Sequence, residues 1–175
     1  MVKLKDGEIE LRLLKDEDLE DLVKYANNKK IADNLGPDMP HPYTIEDGKW
    51  WIDNNKNNEY QLAITINNSF AGMIGMTNID DKKSDHCKNF GYWVGEPYWG
   101  KGIMTRAVQL FTNYAFDKFK DIHRLQAYVY DYNPASARVL EKAGFTKEGT
   151  RKDGVFLRGK IFSEDTYRLL RNELK

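Results

Sequence analysis

Gly91-Tyr92-Trp93-Val94-Gly95-Glu96-Pro97-Tyr98-Trp99-Gly100-Lys101-Gly102-Ile103-Met104-Thr105-Arg106 is the stretch that decides the fold. An extended aromatic segment runs into a turn with two glycines. From Ile103 onward apolar residues recur at Ala107, Leu110, Phe111, Tyr114 and Ala115, which predicts a helix of about 17 residues ending near Lys118. In such a strand–turn–helix bare backbone N–H groups point inward and, together with the positive end of the helix dipole, form a concavity for phosphate. Lys101 and Arg106 stand where they would add charge. Gly95 to Gly102 also read GxxxxGKG, one residue short of a nucleotide-binding P-loop. That motif needs a hydroxyl after the lysine to hold Mg²⁺, and a βαβ unit around it. Gly102 offers no hydroxyl, so a nucleoside triphosphatase is disfavoured.

Upstream of the turn, Tyr60, Leu62, Ile64 and Ile66 alternate, Asn67-Asn68-Ser69 turns, and Phe70–Ile79 and Cys87–Val94 follow as strands of an antiparallel meander. Further back, Ile9, Leu11 and Leu13 read as a strand. Asp16 is expected to cap a helix carrying Leu19, Leu22, Val23 and Ala26, and Thr44 to cap another whose buried side is Trp50, Trp51 and Ile52. The breaker cluster Gly36-Pro37-Asp38-Met39-Pro40-His41-Pro42 between these helices predicts an irregular loop. Downstream, Leu125, Ala127 and Val129 alternate as a strand. Asn133 caps a short helix with Pro134 at its first position and Gly144 closing it, and Phe145–Arg151 and Lys160–Leu170 form a closing β pair. The order β, α, α, β, β, β, α, β, α, β, β predicts an α/β (α+β) domain, a mixed sheet with helices on its faces.

The 175 residues suit one domain spanning 1–175. Lys+Arg and Asp+Glu both number 27, so no general attraction to nucleic acid or anionic membrane is implied. Cys87 is the single cysteine, and three scattered histidines (His41, His86, His123) give no recognisable metal site. With no transmembrane run and no signal peptide read after Met1, a cytoplasmic setting is expected.

Trp99-Gly100-Lys101-Gly102-Ile103-Met104, followed by Asn133-Pro134-Ala135-Ser136-Ala137-Arg138-Val139-Leu140-Glu141-Lys142-Ala143-Gly144-Phe145, resembles the GNAT superfamily of acetyl-CoA-dependent N-acetyltransferases, and within it the RimJ/RimL type that acetylates ribosomal-protein N-termini. The resemblance runs nearly end to end. It implies a mostly antiparallel sheet in which two strands splay to admit acetyl-CoA. It also implies that Gly100, Lys101, Gly102, Ile103, Met104 and Thr105 bind the coenzyme A pyrophosphate, and that Tyr92, Trp93 and Val94 hold the pantetheine arm and acetyl group. Asn133 and Ser136 match positions near the sulfur. Most members of the superfamily carry a tyrosine acid where Leu140 stands, which leaves Ser136 as the catalytic candidate, and Asn89 replaces a common carboxylate. Glu96, Glu164, Asp165 or a relayed water are candidate bases.

Acetyl transfer needs a neutral amine, donors for the oxyanion and a proton for the thiolate. Backbone N–H near Val94 is the expected oxyanion donor. An α-amine with pKa about 7.7 to 8.0 is far more often neutral at pH 7 than a lysine-like amine near 10.4, a difference of about 3.5 kcal/mol. A protein or peptide N-terminus is therefore the expected acceptor. A small-molecule amine (polyamine, amino acid or aminoglycoside) is the alternative, and a noncatalytic acyl-CoA-binding module the rival from another class. Trp51, Tyr128 and Tyr130 read as packing residues. The sequence leaves a homodimer open.

Overall fold

Alternating apolar residues make the strands, and polar caps set the ends of the helices. The computed structural model describes residues 2–37 and 39–174, so Asp38 of the breaker cluster lies outside the described residues. The elements run β1 (Lys3–Asp6), β2 (Ile9–Arg12), α1 (Leu19–Ala26), α2 (Lys29–Ala32), α3 (Ile45–Asn55), β3 (Gln61–Ile66), β4 (Ser69–Asn78), β5 (Cys87–Val94), α4 (Ile103–Lys118), β6 (Arg124–Tyr130), α5 (Pro134–Lys142), β7 (Thr146–Leu157) and β8 (Lys160–Leu170). Eight strands form one mixed sheet in the order β1-β2-β3-β4-β5-β6-β8-β7. Five of its pairings are antiparallel. The β5–β6 pairing is parallel and joins Cys87–Asn89 to Arg124–Gln126, the first three residues of each strand.

The chain groups into two compact units: residues up to Gly75 with Tyr92–Phe111, and Met76–Gly91 with Thr112 onward. In the first unit Leu14, Leu22, Ala26, Tyr43, Ile52, Ala63, Phe70 and Met73 form a buried cluster against which Trp51 and Trp93 pack. Thr44 caps α3 as expected: its Oγ1 accepts from Asp47 N–H, and the Asp47 carboxylate accepts from Thr44 N–H at 2.8 Å. Asp16 does not cap α1. The carboxylate at that turn is Asp18, which is buried, accepts from Lys15 N–H at 2.9 Å and holds Arg12 through two hydrogen bonds of 2.7 and 2.8 Å. Trp50 departs from its expected burial and is 64% exposed, because Gly48 and Ile52 take the inward positions of α3. β1 escapes a pattern reading because Lys3-Leu4-Lys5-Asp6 has one apolar residue and lies at the sheet edge.

In the second unit Phe90 stacks on Phe145 with ring centroids 5.5 Å apart. Arg171 donates to the carbonyl of Phe116 in the last turn of α4 and to those of Phe119 and Ile122 just beyond it, satisfying acceptors that a helix end leaves open. β7 runs on to Leu157 instead of stopping at Arg151, with a register shift between Arg151 and Val155 that absorbs Asp153 at φ 51°.

Gly72 is a glycine in β4 that close approach of backbone demands. A Cβ there would strike the Trp93 carbonyl oxygen and come within 2.7 Å of Val94 Cα, while Gly95 N–H donates to Ala71 O at 2.8 Å. The end of β5 is thus pressed onto bare backbone. Gly72→Val should lower the unfolding free energy by about 1–3 kcal/mol in urea denaturation; an unchanged midpoint would show that the contact with Trp93 carries no constraint.

Candidate active site

β5 delivers Tyr92, Trp93 and Val94 to the turn. Val94 is buried, Tyr92 and Trp93 are half-buried, and Trp93 packs edge-on to Phe70 at 6.1 Å. After Val94 the chain makes one 3-10 turn, Glu96–Tyr98, with Tyr98 N–H donating to Gly95 O at 2.9 Å. Trp99 then folds back, and its indole Nε1–H donates to the Val94 carbonyl at 2.7 Å. This hydrogen bond ties the loop to the strand from which it leaves.

Gly100 and Gly102 both sit at φ +73°, in the left-handed region that costs an ordinary residue about 1–2 kcal/mol. Nothing lies within 4 Å of where a Cβ would stand on either. The space above the turn is therefore open, and Gly100, Lys101 and Gly102 are exposed. Ile103 and Met104 are buried and anchor the first turn of α4, with Thr105 half-buried beside them. The first backbone bond of the helix runs from Arg106 N–H to Gly102 O. By the geometry of a helix start, the amides just ahead of it have no intrahelical acceptor, and the dipole adds positive potential there.

Arg106 does not serve this concavity. Its guanidinium donates to the Asp6 carboxylate at 2.6 Å, the Asp6 carbonyl at 2.8 Å and Glu8 at 2.9 Å, and the hydrogen bond to Asp6 raises its pKa further. Arg106 fastens α4 to the β1–β2 turn, which leaves Lys101 as the lysine or arginine within the glycine turn.

In the other unit, Asn133 caps α5, its Oδ1 accepting from Ser136 N–H at 3.3 Å, with Pro134 at the first position and Gly144 at φ +99°. Ser136 is half-buried in the first turn. Leu140 is fully buried, so the position where a phenol is common belongs to the core here. Tyr167 is buried too; burial and then a hydrogen bond to Glu141 push its pKa up to about 12.

The candidate bases are engaged. Glu96 binds Lys30 and Asn28, and the Lys30 hydrogen bond holds its carboxyl below the ordinary range. Burial pushes Asp165 up, but Lys147 at 2.7 Å and Thr150 outweigh it and leave its pKa lowered. Glu164 is ion-paired with Arg151 at 2.6 Å. Asn89 accepts from Gln126 at 3.0 Å. Tyr128, read as packing, is 49% exposed. A Gln126 contact of this kind carries no sequence signal beyond the alternation that places Arg124, Gln126 and Tyr128 on one strand face.

A family model for an acetyltransferase (GNAT) domain matches residues 8–146. The chain belongs to the GNAT acetyltransferase family. Among curated GNAT relatives, the [ribosomal protein uS5]-alanine N-acetyltransferase of Escherichia coli is 33% identical over 89 residues, which is 50% of this chain and 45% of that protein. The first curated relatives are matched over 38% to 64% of their own lengths. Among solved structures, a GNAT-family acetyltransferase from Bacillus anthracis superposes with a TM-score of 0.86 at 23% identity, covering 98% of this chain and 100% of that one. RimL, the ribosomal L7/L12 α-N-protein acetyltransferase solved with coenzyme A, superposes with a TM-score of 0.83 at 24% identity over 97% and 98%. These two likenesses establish the GNAT fold.

Trp99→Phe removes the clamp on the GNAT turn without changing its backbone. Hydrogen exchange of the amides from Gly95 to Gly102 should quicken by about fivefold, as loss of about 1 kcal/mol would give; unchanged exchange would show that the indole does not hold the loop.

Proposed function

We propose that residues 1–175 act as one N-acetyltransferase domain that moves an acetyl group from acetyl-CoA to a primary amine, the α-amine of a protein or peptide N-terminus. The observation that carries this is the open turn at the mouth of α4, with Gly100 and Gly102 left-handed, uncrowded and exposed. A diphosphate fits there because orphan N–H groups and the helix dipole favour an anion. Family membership and the ribosomal-protein acetyltransferases among its relatives support the donor and the acceptor class.

In this reading the amides of Gly100–Thr105 and the Lys101 ammonium hold the diphosphate. Acetyl-CoA supplies a thioester carbonyl open to attack by nitrogen. Tyr92, Trp93 and Val94 line its arm, and the Val94 N–H donates to the oxyanion. Asn133 sets the first turn of α5, and the Ser136 hydroxyl donates to the departing sulfur. Separation of β5 from β6 beyond their paired beginnings would admit the arm, and the short parallel register supports it. Glu96 and Asp165, held charged by their cations, are poor bases. A site of this kind favours an amine that is already neutral in useful amount, which an N-terminal α-amine is.

Three outcomes follow. Gly102→Glu should abolish coenzyme A binding in calorimetry, because a side chain and a negative charge would enter the phosphate site; retained affinity would remove the turn from the site. Ser136→Ala should lower kcat while leaving the acetyl-CoA affinity nearly unchanged; equal rates would reduce Ser136 to a helix-turn residue. Finally, kcat/KM for a peptide should rise with pH through about 7.7 to 8.0, where the amine loses its proton, and then level off. Glu96 and Asp165 have pKa values lowered from the carboxylate range, so both are already charged well below neutrality and add no inflection; one between about pH 5 and 7 would reveal a base that this account lacks.

A further inference from the structure

On the second unit, the sheet face opposite α5 carries a hydrogen-bond chain whose direction is fixed. Leu125, Ala127 and Val129 of β6 are buried, and Tyr167, the partner of Ala127 in the sheet, reaches Glu141 of α5. Arg124, Gln126 and Tyr128 alternate with them and point the other way. Glu148 of β7 receives both Arg124 and Arg168, and Arg168 also pairs with Glu173. Arg124 is held in place by this ion-pair chain, and its Nε–H donates to Gln126 Oε1 at 3.4 Å.

An arginine has donors and no acceptor, so Gln126 must turn its carbonyl oxygen toward Arg124. Its Nε2 then faces the other way and donates to Asn89 Oδ1 at 3.0 Å and to Tyr128 Oη at 2.9 Å. Both protons of that amide are used. Asn89, half-buried and having accepted through Oδ1, has its own NH₂ left to donate. Tyr128, having accepted at Oη, must send its proton elsewhere. Neither group makes a further side-chain hydrogen bond among the described residues. Gly91, two residues past Asn89 and so on the same strand face, is exposed, and no atom lies within 4 Å of where its Cβ would stand. β5 runs on from there into Tyr92–Val94.

The result is a partly exposed surface, open at Tyr128 and Gly91, with two donors left over and with the nearby Glu148 carboxylate already taken by two arginines. Hydrogen bonding of Arg124 holds the Glu148 carboxyl below its usual range, which keeps it charged and the chain oriented. A donor surface recognises oxygen. We infer that Asn89 Nδ2 and Tyr128 Oη–H bind the carbonyl oxygen next to the acceptor's amine, so that Gln126, through its orientation, selects acceptors bearing a peptide carbonyl over polyamines. This rests on the N-terminal amine reading above. Asn89 and Tyr128 are substrate-contacting residues in it, and Gln126 is a positioning residue.

The test compares a short peptide with an N-terminal alanine and an amidated C-terminus, free alanine, isopropylamine and spermidine as acceptors for wild type, Tyr128→Phe and Gln126→Glu. Wild type should prefer the peptide. Tyr128→Phe should raise KM for the peptide about five- to tenfold, the worth of one hydrogen bond, and leave KM for isopropylamine and spermidine unchanged. Gln126→Glu replaces the donor amide with a carboxylate, which draws the Tyr128 proton inward; KM for the peptide should rise similarly while KM for spermidine falls. Melting temperatures will separate these effects from loss of fold, since Tyr128 is exposed. Equal KM shifts for all acceptors, or none for the peptide, would overturn the inference while leaving the N-terminal reading intact. Preference of wild type for free alanine would overturn the peptide carbonyl as the ligand. Wild-type silence on peptides with turnover of spermidine would overturn the N-terminal reading and the inference with it.

Discussion

Unpaired amides at the start of α4 are the constraint on which the rest of this structure depends. A helix cannot satisfy its own first N–H groups, and here they follow exposed glycines, with no atom of the described residues within 4 Å of where a Cβ would stand on either. The surrounding structure keeps that turn in shape without covering it. Trp99 ties it back to Val94, Gly72 allows the end of β5 to press down, and Arg106 is drawn to Asp6 and Glu8 and leaves the turn clear. Each of these contacts lies within one compact unit.

Charge is arranged by the same logic. The chain is neutral overall, and the carboxylates that might have served as bases are matched to cations: Glu96 to Lys30, Asp165 to Lys147 and Glu164 to Arg151; Glu148 is likewise matched to Arg124 and Arg168. Pairing of this kind lowers the pKa of Glu96, Glu148 and Asp165, which suits electrostatic holding and does not suit proton abstraction. What faces solvent along β6 is donor-rich, so selectivity is expected to come from an oxygen on the acceptor and reactivity from an amine that has already lost its proton.

Much of this was legible in the sequence because it rests on local rules. The glycine turn, the extent of α4, the Thr44 capping box and the Asn133-Pro134 start of α5 are set by residues within a few positions of one another. β5 and the Asn67-Asn68 turn were readable for the same reason. The unreadable parts are pairings across long separations. Arg106 meets Asp6 and Glu8 about a hundred residues away, Gln126 meets Asn89 across two strands, and Asp18 displaces Asp16 because Arg12 reaches it. Trp50 faces solvent against expectation because periodicity cannot tell which of two adjacent tryptophans turns inward once a glycine, Gly48, takes the tight position. Tyr128 is exposed where the sequence suggests packing, because an aromatic in a strand reads as core until the covering helix is known to lie on the other face.

The central claim is that the α4 turn amides hold the diphosphate of coenzyme A, and amide resonances report it directly. On titration with coenzyme A followed by nitrogen–proton correlation spectra, the N–H signals of Gly100 to Thr105 should show the largest shifts, and pantetheine, which lacks the diphosphate, should leave those signals in place while moving those of Tyr92 to Val94. Largest shifts elsewhere with coenzyme A, or equal shifts at the turn with pantetheine, would contradict the account.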